Sequence, residues 1–336
     1  MHRDLIVYGY NNKNLGDDLM FACIINNTNY QNYYFYGAQI EPEFVNKKVK
    51  FIKFGRALPL RWKRKADFAV IGGSVVMGSE AKHFKMIRQK QNFFLLNQLY
   101  GGRNFIIGAN LGPYNNKQDY LELLQGLDKR ITRWIVRDSF SQGLLSELGS
   151  KKSTQLPDIV MGFPIEPYLS MPADKNIAIS VTKVNKDGKG DIALDKYTEE
   201  ILKLIKKYII EGYSISMISF EDSIDLPIIE EIVQQLTYEE RNLVTTIPYE
   251  GDKVIRAMAK AEIIVSTRFH SMVLGALLGK QQIIYSYSNK TANFAKDFGF
   301  TVYPVTGNIS GKKAVETQFS SRDIEAAKTY SDWMMR

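Results

Sequence analysis

The sequence predicts an α/β protein with two Rossmann-like domains that face each other across a cleft and contain mainly parallel sheets. Short apolar runs that suit β-strands alternate with longer stretches of helical periodicity, which is typical of βα units. The 336 residues also fit two domains of roughly 150 residues each. A proline cluster, Pro164, Pro167 and Pro172, interrupts the alternation and predicts the domain boundary. We therefore expect domains at residues 1–165 and 173–320, followed by a C-terminal helix over residues 321–336.

The first series of predicted strands runs into glycine-rich turns. Three of these strands lead directly into the clusters Gly9–Asn12, Gly72–Ser74 and Gly108–Pro113. In an open α/β sheet the carboxyl ends of the strands form the ligand crevice, and glycine lets the backbone approach a ligand closely. Each cluster alone fits a tight turn equally well, but three together favour a binding cleft. The predicted strands are Leu5–Tyr8, Tyr33–Tyr36, Val49–Phe54, Phe68–Ile71, Phe105–Ile107 and Ile131–Val136.

The second series repeats this architecture without a sequence repeat. The stretch Thr198–Glu211 carries apolar residues at helical spacing, beginning with Ile201, Leu204 and Ile205. The tail from Ser321 has acidic residues in its first turn, as an amphipathic helix often does. The predicted strands are Ile177–Val181, Ser214–Ser219, Val244–Ile247, Ile263–Val265 and Ile283–Tyr285.

Composition excludes several classes of protein. With 45% hydrophobic and 24% charged residues, the chain is not wholly disordered. The longest apolar run, Met272–Leu278, is much shorter than the roughly 20 residues of a membrane span. The single Cys23 excludes an intrachain disulfide, and the three histidines are too scattered for a metal cage. The N-terminus has no signal-peptide pattern, so we expect a cytoplasmic protein. Because no set of metal ligands is visible, we also expect no bound metal.

The net charge of +8 favours anionic partners. Nine Lys or Arg residues and no acidic residue lie within Lys47–Lys65, with Trp62 among them, and a second basic cluster spans Lys82–Lys90. These segments fit either a solvated basic face or peripheral contact with an anionic membrane or lipid-phosphate acceptor. Nucleic acid is not an expected partner, because no nucleic-acid-binding module is visible.

The most informative stretch surrounds Arg268 and His270. A buried strand is predicted to end near Val265, Ser266 and Thr267 form the turn, and a helix begins near His270. Free backbone N–H groups and the positive end of a helix dipole bind phosphate or carboxylate at such a place. Arginine adds a bidentate anion donor, and histidine transfers protons near neutral pH. A lone histidine is more often structural, but this context favours a functional one.

Taken together, the motifs resemble those of the polysaccharide pyruvyltransferase family. The resemblance runs through nearly the whole chain in order, and Ser74 and Asn110 stand where glycine is usual, which bears on the fit of the acceptor more than on the chemistry. The matching segments are Gly9–Asp18 (G-x-x-x-x-N-x-G-D-E), Ile71–Ser74 (glycine-rich), Gly108–Pro113 (G-x-G-x-G-P), Val136–Ser141 (V-R-D-x-x-S), Pro157–Asp158, Ser266–His270 (S-x-R-x-H) and Lys290 (the lysine of Y-x-P-K).

The resemblance implies a GT-B-like fold, phosphoenolpyruvate as the donor substrate and no cofactor. Members of the family transfer the enolpyruvyl carbons to a sugar as a cyclic pyruvate ketal. Because the donor carries about three negative charges, it needs several fixed cations, and Arg137, Arg268 and Lys290 match that need. Ser266 and Thr267 would line the same donor site. His270 is the candidate acid/base, worth about 10²–10⁴ in rate, on either the acceptor hydroxyl or the leaving phosphate.

The remaining candidates are assigned to acceptor binding or to the cleft loops. Structural alternatives stay open for several residues: Asp17 fits a helix N-cap, Arg137 an ion pair with Asp138, Lys290 a solvated loop lysine, and Glu221 a capping turn. His83 is expected on the surface. The candidates are Gly9, Asn14, Gly16, Asp17, Gly72, Gly73, Ser74, Asn110 and Glu221.

Two other functions also stay open. A GT-B nucleotide-sugar glycosyltransferase shares the architecture and would need similar cations, and an inactive glycan-binding homologue would need no chemistry. The V-R-D-x-x-S and S-x-R-x-H segments favour the pyruvyltransferase. Its acceptor is expected to be a cell-surface polysaccharide or a lipid-linked oligosaccharide at the inner face of the membrane, reached through Lys47–Lys65.

Overall fold

The structure, a computed structural model, describes residues 3–10, 12–36, 42–52, 66–184, 190–305, 307–308 and 310–335. The chain divides into two compact units. Unit 1 comprises Met1–Asn12, Asp17–Gly162 and Arg322–Arg336, and unit 2 comprises Lys13–Gly16 and Phe163–Ser321.

Unit 1 is built on a parallel sheet of seven strands. The strands of this part of the chain are β1 (Asp4–Gly9), β2 (Asn32–Tyr36), β3 (Val49–Ile52), β4 (Ala66–Ile71), β5 (Val76–Gly78), β6 (Asn104–Ala109), β7 (Leu111–Tyr114), β8 (Arg133–Val136) and β9 (Ser153–Gln155). The order in the main sheet is β3-β2-β1-β4-β6-β8-β9, and β5 pairs with β7 separately. The helices are α1 (Leu15–Asn27), α2 (Ala81–Leu99), α3 (Lys117–Asp128) and α4 (Ser139–Glu147), with 3₁₀ turns at Pro42–Phe44 and Ile159–Gly162.

The central strands of unit 1 are buried on both faces. All six residues of β4 and of β6 are buried, and apart from Asp67 and Asn104 both strands consist of apolar residues rather than an alternating pattern. The strand order reverses between β1 and β4, and Gly9 lies in register with Ile71. The glycine turns that follow these two strands are therefore neighbours at the switch point of the sheet, where open α/β sheets bind ligands.

Unit 2 has the same kind of sheet. Its strands are β10 (Asp174–Ser180), β11 (Ser214–Ile218), β12 (Val244–Ile247), β13 (Ala261–Ser266), β14 (Gln281–Ser286), β15 (Val302–Pro304) and β16 (Val315–Glu316). They are parallel in the order β12-β11-β10-β13-β14-β15, and β16 pairs antiparallel with β14. The helices are α5 (Glu166–Leu169), α6 (Gly190–Ile210), α7 (Asp222–Gln234), α8 (Tyr238–Arg241), α9 (Lys253–Lys260), α10 (Phe269–Leu277) and α11 (Asn289–Asp297).

The switch point of unit 2 lies between β10 and β13. The chain leaves β10 toward β11 on one side of the sheet and continues from β13 to β14 on the other. Ser180 and Ser266, the last residues of β10 and β13, are paired in register. The turn that follows β13 is thus placed where a ligand of an α/β sheet is expected. The prediction of an α/β chain with mainly parallel sheets is confirmed.

The structure differs from the sequence expectation in three local features. The proline-rich segment is not entirely irregular, since it holds α5, whose second residue, Pro167, occupies a position where a missing N–H costs little. The tail forms two helices, α12 (Ser321–Lys328) and α13 (Tyr330–Met335), rather than one, and groups with unit 1. Residues Lys13–Gly16, expected in the first domain, group with unit 2.

The basic segment Lys47–Lys65 lies mostly outside the described residues, since residues 53–65 are not among them. In its described part, Lys47 donates to the Thr28 carbonyl and the Tyr33 hydroxyl, and Lys50 lies over the Tyr34 ring. Membrane contact through this segment stays a prediction. Among the described residues, no helix has both the length and the apolar character needed to cross a bilayer.

Candidate functional site

The turn between β13 and α10 is held by buried hydroxyl groups. The backbone N–H groups of Thr267 and Arg268 donate to the Ser180 Oγ at 3.1 and 3.4 Å. The Thr267 hydroxyl lies 2.8 Å from the hydroxyl of Tyr197, a fully buried residue whose phenol pKa is raised by burial. The Ser266 Oγ donates to the Gln282 side chain at 2.7 Å. Ser266 and Thr267, predicted to contact the donor, therefore direct their side chains into the packing beneath the turn.

Arg268 is oriented by two carboxylates of unit 2. Its Nε donates to the Asp225 carboxylate at 3.1 Å, and its Nη2 completes the bidentate pair. Its Nη1 lies 3.4 Å from the Glu221 Oε2. Asp225 is fully buried and also accepts the backbone N–H groups of Phe220 and Glu221. Burial raises the pKa of the Asp225 carboxyl, and the Arg268 charge opposes that rise. The guanidinium of Arg268 is thus oriented by the Asp225 and Glu221 carboxylates.

His270 lies against the segment Lys13–Gly16. A Cβ atom on Gly16 would stand 1.8 Å from the His270 Nδ1, so the backbone of this segment packs directly on the imidazole. Asn14 anchors the segment, because its Oδ1 accepts the Gly16 N–H at 3.0 Å and its Nδ2 donates to Glu221 at 3.1 Å. The Leu15 N–H donates to the Phe220 carbonyl at 2.9 Å. His270 is therefore positioned by Asn14 and Gly16, which were predicted for the acceptor side or the cleft loops.

Lys290 stands next to the same helix start. It is the second residue of α11, and its Nζ lies 5.9 Å from the centre of the Phe269 ring, the residue between Arg268 and His270. The first N–H groups of α10 carry the positive end of the helix dipole. Arg268 and His270 thus belong to the start of α10, and Lys290 contacts the Phe269 ring between them in the chain; cations and free N–H groups of this kind suit a small anion with several charges.

Arg137 lies in unit 1 and is enclosed. Its side chain is 1% exposed and forms an ion pair with Asp158, which is 0% exposed. Its Nε donates to the Asn110 Oδ1 at 2.6 Å, and the amide of Asn110 donates in turn to Asp138. The ion-pair partner is thus Asp158 of the P-D pair, where Asp138 was the expected alternative. Asn110, which stands where the family usually has glycine, bridges Arg137 and Asp138.

Of the glycine turns of unit 1, the one at Gly73 packs against Arg137. A Cβ atom on Gly73 would lie 2.1 Å from the Arg137 Nη2, and one on Gly9 would lie 2.3 Å from the Ile71 carbonyl oxygen. Gly72 has a φ of +134° and faces the Asp17 carboxylate. Ser74 is exposed. The structure therefore gathers the second and third glycine-rich motifs around Arg137, and the close packing at Gly73 explains why no side chain fits there.

Two structural expectations are corrected. The first residue of α1 is Leu15, and Asn14 caps it, so Asp17 stands in the first turn and is not the N-cap. His83 is 7% exposed rather than on the surface, with its Nδ1 3.4 Å from the Ser79 hydroxyl. Sequence reasoning missed Asp225, Ser180 and Tyr197. Of these three residues, only Asp225 could have been found from the sequence, because it stands four residues after Glu221 and is therefore expected on the same helix face.

Comparisons with known proteins agree with the fold and the motifs. A family model described as polysaccharide pyruvyl transferase matches residues 14–289. A comparison with the curated proteins finds no match.

Among solved structures, three alignments each cover 99% of this chain at 11% identity. They are the UDP-GlcNAc 2-epimerase of Methanocaldococcus jannaschii (TM-score 0.60, 99% of that chain), HepE of Anabaena in complex with UDP (0.58, 94%) and the UDP-N-acetylglucosamine 2-epimerase of Rickettsia bellii (0.52, 88%). At such identities these likenesses show the fold alone, and the predicted GT-B-like fold is confirmed.

Proposed function

The chain belongs to the polysaccharide pyruvyl transferase family, and on this premise we propose that it transfers pyruvate from phosphoenolpyruvate to a sugar. The family makes it a transferase that acts on polysaccharide. The donor, the cyclic pyruvate ketal as product, and an acceptor that is a cell-surface polysaccharide or its lipid-linked precursor are the proposal.

The observation that carries the proposal is that Arg268 and His270 stand at the start of α10 and that the Lys290 Nζ lies 5.9 Å from the ring of Phe269, the residue between them. Phosphoenolpyruvate carries a phosphate ester and a carboxylate on one carbon, C2, with about three negative charges in all. Three of the five N–H groups of an arginine are used by Asp225 and Glu221, which leaves two for an anion. Lys290 adds a point charge, and the N–H groups of α10 add neutral donors.

The proposed reaction balances with one acid/base and no cofactor. A proton added to the terminal carbon of the enol makes C2 electrophilic, and a sugar hydroxyl adds there and loses its proton. A second hydroxyl of the same sugar then displaces phosphate from C2 and gives its proton to the leaving phosphate, which closes the ketal and releases inorganic phosphate. His270 is the group that moves a proton in one of these steps. Arg268 and Lys290 hold the phosphate and carboxylate while negative charge gathers on the leaving group.

The assignment of Arg137 is different. Because its guanidinium is enclosed with Asp158 and Asn110, we propose that it supports the glycine turns of unit 1, and that its predicted contact with the donor requires those turns to move.

Binding of the donor can be tested before the acceptor is known. Calorimetric titration with phosphoenolpyruvate should give saturable binding to the wild-type protein and a large loss of affinity in Arg268→Lys, which keeps the charge but not the fork. Arg256→Lys is the matched control, because Arg256 pairs with Asp252 on an exposed face of α9. Binding of UDP-sugars or GDP-sugars, with none of phosphoenolpyruvate, would overturn the proposal in favour of a glycosyltransferase.

A further inference from the structure

Glu221 shares one oxygen between two partners in the donor region. Its Oε2 accepts from the Asn14 Nδ2 at 3.1 Å and lies 3.4 Å from the Arg268 Nη1. The carboxylate is 2% exposed. Asp225, in contrast, holds Arg268 through both Nε and Nη2 and is itself fixed by two backbone N–H groups. Arg268 thus has one tightly held edge and one loosely held edge.

Arg268 and its two carboxylates, taken without Lys290 and the start of α10, do not favour an anion. Arg268 contributes one positive charge, and Asp225 and Glu221 contribute one negative charge each when ionised, so the cluster carries a net negative charge. A phosphate or carboxylate that approaches the Nη1 edge meets the Glu221 carboxylate at hydrogen-bond range of the same donor. The anion can use the two N–H groups that the carboxylates leave, but it then lies beside Glu221 at Nη1, and at such short range the repulsion between the two anions is only partly screened.

We propose that Glu221 is a counter-charge that competes with the anionic donor substrate for Arg268, and that Asn14 is a positioning residue that moderates this competition. The identity of the donor rests on the proposed function, but the competition itself concerns any phosphate-bearing or carboxylate-bearing ligand. By drawing Oε2 toward its amide, Asn14 keeps Glu221 from pairing fully with Arg268. Both residues, predicted for the acceptor side or the cleft loops, then set the affinity for the donor.

Two substitutions should change that affinity in opposite directions. Glu221→Gln keeps the shape and an acceptor oxygen but removes the charge, and phosphoenolpyruvate should bind roughly tenfold more tightly, or about 1.4 kcal/mol. Asn14→Ser keeps a side-chain oxygen that can cap Gly16 but removes the donor to Glu221, so binding should weaken by roughly threefold or more. In the Glu221→Gln background, Asn14→Ser should change the affinity for phosphoenolpyruvate by less than about twofold, because both substitutions act on the contact between Glu221 and Arg268.

The experiment is calorimetric titration of the four proteins with phosphoenolpyruvate, UDP and inorganic phosphate as separate probes. Glu250→Gln is the control for the loss of one negative charge, since Glu250 is exposed and pairs only with Lys253 among the described ion pairs; it should bind like the wild type. Thermal melting without ligand checks that each variant is folded.

The outcomes separate the two proposals. If wild type binds UDP but not phosphoenolpyruvate, and Glu221→Gln tightens UDP binding, the proposed donor is wrong and the counter-charge stands. If Glu221→Gln binds none of the three anions more tightly than wild type, the counter-charge role is overturned whatever the donor. An Asn14→Ser effect that persists unchanged in the Glu221→Gln background would overturn the role of Asn14, since a merely structural residue would act independently of the charge.

Discussion

Removal of one partner of the Arg137–Asp158 ion pair should destabilise unit 1 by about 3–5 kcal/mol, because it leaves an uncompensated charge in the interior. The two side chains are 1% and 0% exposed, so water does not screen the remaining charge. In Asp158→Asn, the Val160 N–H keeps a side-chain acceptor, and the Arg137 Nε keeps its hydrogen bond to the Asn110 Oδ1. The substitution therefore removes mainly the ionic contact between Arg137 and Asp158.

A double substitution tests the cause of that loss. Arg137→Met with Asp158→Asn removes both charges, and it should recover much of the stability that either single change loses, since replacing a buried pair costs less than breaking it. The matched control is Glu147→Gln, which breaks an ion pair with Lys117 in the same unit at 51% and 48% exposure. It should cost only about 0–1 kcal/mol.

Equilibrium unfolding in urea, followed by tryptophan fluorescence, measures these differences. Trp134 and Trp333 belong to unit 1, and residues 163–321 contain no tryptophan. The signal therefore follows unit 1, and the shift of the midpoint at constant slope gives the change in the free energy of unfolding. Single variants that lose less than about 1 kcal/mol, the range of exposed pairs, would refute the inference that the pair is buried and desolvated.

Two further predictions concern Gly16 and Cys23. Gly16→Ala should displace the His270 ring, because the new Cβ would lie 1.8 Å from Nδ1, and phosphoenolpyruvate binding should fall by roughly tenfold with little change in melting temperature. Imidazole resonances of the three histidines would reveal the displacement by NMR, and an unshifted His270 signal with normal binding would contradict the packing. The pKa of the Cys23 thiol is raised by burial and further by Asp158, so the native protein should resist a thiol reagent at pH 8 and react with one equivalent only after unfolding in urea. Rapid labelling of the folded protein would show that Cys23 is accessible.

Much of the fold follows from local patterns. Strands such as β4 and β6 are recognisable because they are buried on both faces, which favours apolar runs such as Phe68–Ile71 and Phe105–Ile107. The strands that sequence reasoning missed, such as β5, β9 and β16, have two or three residues. Such strands show no period, and they form because a neighbouring strand presents an edge to pair with.

The candidate site was predictable in its residue types but not in its contacts. Arg268, His270 and Lys290 stand in recognisable motifs, and the structure places the first two at the start of α10 and the Lys290 Nζ against the Phe269 ring. The sequence did not reveal the roles of the residues that contact them, such as Asn14 and Glu221. Asn14 and Glu221 are 207 residues apart in the chain yet share a hydrogen bond, and no local pattern reports such a pairing.

The sequence by itself determined the α/β class, the order of most of the longer strands, and the family motifs that carry the charged groups. These features depend on hydrophobic periodicity and on turn residues, and both are local patterns that extend over only a few residues. Only the tertiary structure decided which carboxylate neutralises each arginine: Asp158 encloses Arg137, whereas Asp225 and Glu221 flank Arg268. The reason is that the energy of a charge depends on its burial and on partners far along the chain, and the fold alone brings these together.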